Sequence, residues 1–97
     1  MPDPSQLLAF KALANPARYR IVETLARDRR EHPCRELIND LGVTPPAVSN
    51  HLRQLERARI VELQRRGTQI YVSLAATDVA YQMAAFIRSS HPSGDDL

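Results

Sequence analysis

The stretch Thr44-Pro45-Pro46-Ala47-Val48-Ser49-Asn50-His51-Leu52 carries the reading that decides the fold. It begins two residues after Gly42, which ends an apolar-periodic segment. Thr44 is a helix N-cap type, and Pro45 suits the first helical position, where a missing N–H is not needed. Val48, Leu52 and Leu55 fall at i, i+4 and i+7, so they share one buried face. Pro46, Ser49, Asn50 and Arg53 are left facing outward near the helix start. Short polar side chains at the exposed start of the second helix of a pair suit contact with base edges in a major groove. The segment therefore predicts a DNA-reading helix.

Composition bounds what can surround it. A chain of 97 residues makes one small domain. Domains of this size bury a modest fraction of their surface, and many rely on a partner subunit. With no Trp and 5% aromatic residues, the core has to be built from Leu, Ile, Val and Ala. A net charge of +2 is too weak to argue for nucleic acid by itself, but its distribution is uneven. Arg53, Arg57, Arg59, Arg65 and Arg66 fall within one short window, whereas Asp95 and Asp96 lie near the end. Lys11 is the single Lys, so the cationic surface is nearly all Arg, which forks bidentately onto phosphate and guanine. The lone Cys34 cannot form an internal disulfide, which fits a reducing cytoplasm. No apolar run reaches the length of a membrane span. Met1-Pro2-Asp3-Pro4 lacks the basic and apolar regions of a signal peptide. The expectation is a soluble cytoplasmic protein with no membrane partner.

Outward from the reading helix, the pattern is helical before it and stranded after it. Ser5 is expected to cap a first helix through Leu7, Leu8, Phe10 and Leu13. Asn15-Pro16 breaks it and opens a second helix with Ile21, Val22 and Leu25 inward. Asp28 to Pro33 reads as a polar connector. A short third helix runs from about Cys34 to Leu41, with Gly42 as its stop. The reading helix extends to about Ala58. Val61 and Leu63, then Ile70, Val72 and Leu74, alternate with polar residues as two half-buried strands. Arg65-Arg66-Gly67-Thr68 joins them as a hairpin turn. Thr77-Asp78 caps a last helix. The fold class is mainly α with a small β-hairpin (α+β), a winged helix-turn-helix of order α-α-α-α-β-β-α. It occupies residues 5–90, followed by a disordered tail at 91–97.

Phe10-Lys11-Ala12-Leu13-Ala14-Asn15-Pro16-Ala17-Arg18-Tyr19-Arg20-Ile21-Val22 resembles the opening of the ArsR/SmtB bacterial repressors. Leu41-Gly42-Val43-Thr44, with Val48-Ser49-Asn50-His51-Leu52 and Leu55, is similar to their helix-turn-helix. Ile60-Val61 and Tyr71-Val72-Ser73-Leu74 match their wing strands. The resemblance covers roughly Leu7 to Ile87. It implies a homodimer built from the first and last helices, binding palindromic double-stranded operator DNA. Repression is then by promoter occlusion, relieved by an inducer. The last helix is independently too apolar for a one-stripe surface helix. Leu7, Phe10, Val79, Met83, Phe86 and Ile87 are the expected dimerisation residues. Arg59 departs from the family, which usually has Gly after the reading helix. A left-handed backbone there would cost about 1 kcal/mol relative to Gly.

Ser49 and Asn50 are the leading base-reading candidates, because Asn offers two hydrogen bonds to adenine and Ser suits several base edges. Thr44 and Pro46 stand beside them, although capping alone accounts for Thr44. His51 serves either DNA contact or the seam between helices. Arg53 suits phosphate. Arg65, Arg66 and Thr68 form the wing tip, where Arg is drawn to narrow minor grooves.

The metal sites of the resembled family are mostly vacant. Aligned on Glu36-Leu37, the two thiolate positions of a Cys-x-Cys site hold Pro33 and Arg35, and Cys34 lies between them. Of a four-ligand site on the last helix, Asp78 and His91 fit, but Ala80 and Gly94 occupy the other positions. Two ligands do not make a tetrahedral Zn site, so no cofactor and no metal are expected. Cys34 reads as a small buried hydrophobe rather than a redox thiolate. No paired carboxylates, phosphate-cradling Gly loop or nucleophile motif supports an enzyme. The alternatives are a winged-helix protein-interaction module, or a regulator that senses through a partner protein or weak Ni/Zn binding by His91 and the Asp95-Asp96 tail.

Overall fold

Proline and its neighbours set the helix starts in the computed structural model, which describes residues 3–90. Helix α1 (Pro4–Leu13) is capped by Asp3, not Ser5. The Asp3 carboxylate accepts the Gln6 N–H at 2.9 Å and the Gln6 side chain accepts the Asp3 N–H at 3.4 Å. That reciprocal box satisfies two otherwise orphaned donors and places Pro4 at the first helical position. Asn15 caps α2 (Pro16–Asp28) by accepting the N–H groups of Ala17 and Arg18. Helix α3 (Cys34–Leu41) stops at Gly42, whose φ of 66° is the left-handed turn that favours Gly. Thr44 caps α4 (Pro45–Arg57), accepting the Ala47 N–H at 3.3 Å.

The strands β2 (Val61–Arg66) and β3 (Gln69–Leu74) pair antiparallel, with Arg66 opposite Gln69. The hairpin loop is thus two residues, Gly67-Thr68, and Gly67 supplies a φ of 63°. Helix α5 (Asp78–Ser90) closes the chain. The Thr77 hydroxyl accepts the Ala80 N–H at 3.1 Å and donates to the Arg59 carbonyl at 2.7 Å.

One element departs from the expected order. His32–Pro33 is a short strand, β1, pairing with β3 through His32 opposite Val72, so the sheet has three strands in the order β1-β3-β2. Two residues carry no periodicity to detect. The expected tail, residues 91–97, lies outside the described residues, and with it His91, Asp95 and Asp96.

The core joins every helix to the sheet through buried Ala9, Ile21, Leu25, Leu37, Val48, Leu55, Ile60, Val72, Met83 and Ile87. No described helix is long and apolar enough to cross a membrane.

His32 also ties α2 to α3. Its Nε2 meets the Asp28 carboxylate at 3.0 Å and its Nδ1 meets Glu36 at 3.1 Å. Burial pushes the imidazole pKa down, but hydrogen bonds to Asp28 and Glu36 outweigh it, and the net shift is upward from 6.5. A raised folded pKa means this contribution is complete below about pH 6.5 and fades as pH rises through the folded value. The melting temperature should therefore fall between pH 6 and pH 8 in the wild type and stay flatter in His32→Asn. Parallel profiles for the two proteins would contradict the assignment. The Asp28 carboxyl is held low, first by its hydrogen bond to His32. Its contribution disappears instead at acid pH.

Candidate nucleic-acid interface

Helix α4 is divided lengthwise. Val48, Leu52 and Leu55 are buried, while Thr44, Pro46, Ser49, Asn50, Arg53 and Arg57 are exposed. Asn50, Arg53 and Arg57 follow helical spacing along one outward face. Its second turn offers the short exposed side chains of Ser49 and Asn50, whose donors and acceptors are the chemistry base edges require.

His51 sits apart from that face. It is half-buried, and its Nδ1 is closed off from solvent without a hydrogen-bond partner. Burial, then the Arg18 charge, lower its pKa. The neutral ring is favoured, and it lies near enough to Arg18 of α2 to feel its charge.

The two wing arginines have different surroundings. Arg66 forks onto Glu31, both N···O distances being 2.8 Å. It also donates to Gln64 at 2.9 Å and lies 4.6 Å from the centre of the Tyr71 ring. The Glu31 hydrogen bond raises its already high pKa. Arg66 thus fastens the wing to the connector before β1, a pairing across 35 residues that no local pattern announces. Arg65 and Thr68 are exposed beside it, and no ion pair of the described residues engages Arg65.

Arg59 does adopt a left-handed backbone, with φ of 66°. Arg59→Gly should raise the unfolding free energy by about 0.5–1 kcal/mol, part of the relief being offset by the freer unfolded chain. Chemical denaturation would register a loss of stability instead if the turn needed the arginine.

The expected dimer residues separate into two sets. Leu7, Phe10 and Phe86 are 55%, 43% and 45% exposed, and Leu8 and Tyr81 are exposed as well. Phe10 and Phe86 meet edge to face, their ring centres 5.6 Å apart. Val79, Met83 and Ile87, by contrast, are buried in the protomer's own core and face away from that surface. The last helix carries two apolar stripes, and the inner one packs on α2 and α1.

No group of three or more His, Cys, Asp or Glu among the described residues could hold a metal ion. Asp78 opens α5, Ala80 is buried, and His91 lies outside the described residues. Cys34 is half-buried against the core, and burial pushes its thiol up, away from a reactive thiolate.

Residues 13–64, more than half of the chain, match the helix-turn-helix domain family. The HTH-type transcriptional regulator Rv0081 of Mycobacterium tuberculosis (strain ATCC 25618 / H37Rv) is 40% identical over 76 residues, covering 77% of this chain and 65% of that protein. Its crystal structure superposes with a TM-score of 0.72 at 34% identity, covering 92% of this chain and 91% of that one. The transcriptional repressor SmtB homolog of Synechocystis sp. is 39% identical over 79 residues, 79% of this chain and 58% of that protein. The homodimeric winged helix-turn-helix DNA-binding domain of Mb0332 from Mycobacterium bovis, a possible ArsR-family regulator, superposes with a TM-score of 0.74 at 28% identity, covering 90% and 80%. The chain spans just under two thirds of the length of the first curated relatives. It belongs to the ArsR/SmtB family of winged helix-turn-helix transcriptional regulators, which are not enzymes.

Proposed function

We propose that the chain is a homodimeric repressor that binds a palindromic operator. The first two turns of α4 would enter the major groove and the wing would lie against the flanking backbone. The exposed face Ser49, Asn50, Arg53, on a helix seated by the buried stripe Val48, Leu52, Leu55, is the observation that carries this reading. The repressor role draws support from the SmtB homolog, and the homodimer from Mb0332. Two-fold symmetry would place the paired reading helices about one turn of DNA apart, roughly 34 Å. The cytoplasm, where the chromosome lies, is the compartment proposed.

Ser49 and Asn50 are assigned base contact, Thr44 and Pro46 the close approach of the helix start, and Arg53, Arg65 and Thr68 backbone contact. Arg66 would reach DNA only by exchanging Glu31 for phosphate, and His51 would support the helix from behind. The inducer is left to a small molecule or protein partner.

The test is binding of the full chain to its own promoter DNA against a scrambled duplex, read by fluorescence anisotropy at several salt concentrations. Asn50→Ala should weaken operator binding by about 1–3 kcal/mol and leave the scrambled duplex unaffected. Arg65→Ala should weaken both and flatten the salt dependence. Equal loss on both duplexes for Asn50→Ala would remove the base-reading assignment. No binding to either duplex by the wild type would favour a protein-interaction module.

A further inference from the structure

We infer that the cleft between α1, α2 and the C-terminal half of α4 binds an oxyanion of the phosphate class. The cavity there has a volume of about 210 Å³, and Lys11, Arg18, Arg57 and Gln54 supply its polar lining. No acidic residue lines it, and no ion pair of the described residues engages any of the three cations. Lys11 and Arg57 each stand in the last turn of a helix, where a cation is favoured by the helix dipole. That accounts for each singly, but not for three cationic residues lining one hollow with no acidic residue among them, an arrangement an anion would favour.

Arg18 is already oriented. Its Nε donates to the Ala12 carbonyl at 2.7 Å, and no hydrogen bond from the described residues engages its terminal amino groups. Two guanidinium residues, an ammonium residue and a side-chain amide lining one hollow match an anion with several acceptor oxygens. Leu8 and Ala58 add an apolar wall, so the hollow accommodates an organic phosphate as well as a bare one.

Position gives the cleft a consequence. Lys11 belongs to the helix carrying exposed Leu7 and Phe10, and Arg57 continues the outward face of Asn50 and Arg53. An anion drawing Lys11 and Arg57 together would couple the apolar α1 surface to α4. The same oxyanion chemistry is available from a free phosphorylated molecule or from a phosphate of the DNA backbone.

The experiment uses the full chain and two arms. In the first, inorganic pyrophosphate is titrated at constant ionic strength without DNA and followed by amide and side-chain NMR. Saturable shifts centred on Lys11, Arg18, Gln54 and Arg57, weakened at least tenfold in Lys11→Gln/Arg57→Gln, would support a free-anion site. In the second, the salt dependence of duplex DNA binding is compared for the same proteins. A slope lower by about two per protomer in the double variant would support the cleft with DNA as the source. Both substitutions are at exposed positions, and thermal unfolding checks that the variant is folded. Absence of saturable pyrophosphate binding together with an unchanged slope overturns the inference, as does pyrophosphate binding that the variant retains in full. The first arm needs no operator, so it stands or falls separately from the repressor reading.

Discussion

Leu55→Ala is expected to lower the unfolding free energy by about 2–5 kcal/mol. Leu55 is fully buried, and it is the last of the three apolar residues that seat α4 on the domain. Its carbonyl also accepts the Ile60 N–H at 3.0 Å, where the chain turns from α4 toward the wing. Removing the side chain forfeits its transfer free energy and leaves a cavity between helix and sheet that close packing closes only in part. Small domains have about 5–15 kcal/mol in total, so a large fraction of the native stability is at stake. Urea denaturation at fixed protein concentration measures the loss, and the slope with denaturant should be unchanged. A loss below about 1 kcal/mol would mean the neighbouring side chains collapse into the gap and that α4 is seated elsewhere.

Phe86→Asp should turn the proposed dimer into a monomer. The Phe86 ring is 45% exposed in the protomer and stacks edge to face on Phe10, so it contributes little to the core and much to an uncovered apolar surface. In an isologous interface one substitution acts twice, placing two carboxylates in the same apolar contact. Each would lose its hydration without gaining a partner, a penalty of several kcal/mol. Even 2 kcal/mol per protomer weakens association about a thousandfold. Sedimentation should show the monomer mass with an unaltered circular dichroism spectrum, and operator affinity should fall in parallel. A dimer that persists would move the interface away from the α1–α5 face.

How far these features could be read from the residues alone depended on whether their causes were local. Gly42, Thr44 and Pro45 bound α3 and α4 because capping and left-handed backbone are properties of single residues. The wing strands followed from the alternation within Val61–Leu63 and Ile70–Leu74, whereas the strained turn at Arg59 was signalled only by the resemblance, whose members usually carry Gly there. The first cap is Asp3 and not the expected Ser5: both have the right chemistry, and the reciprocal Gln6 bond selects Asp3. The strand at His32 was invisible because it is formed by its partner, Val72. The Glu31–Arg66 fork is a matter of tertiary proximity and changes the surroundings of one expected wing contact. On α5, composition revealed two apolar stripes but not their assignment. Val79, Met83 and Ile87 turn inward because α2 and α1 cover them, leaving Phe86 outside. The exposed start of α4 was fully legible, since its buried stripe is written in the spacing of Val48, Leu52 and Leu55.

The Thr77 hydroxyl has two obligations. It caps the first turn of α5 and donates to the carbonyl of Arg59, the residue that ends the turn after α4. A single side chain therefore rivets the helix of the apolar face to the base of the reading helix. Bending one against the other would break that bond and open a strained turn at the same point. In the proposed dimer, Thr77 would pass a displacement of α5 at the α1–α5 face directly to the end of α4, changing the span between the two copies of that helix.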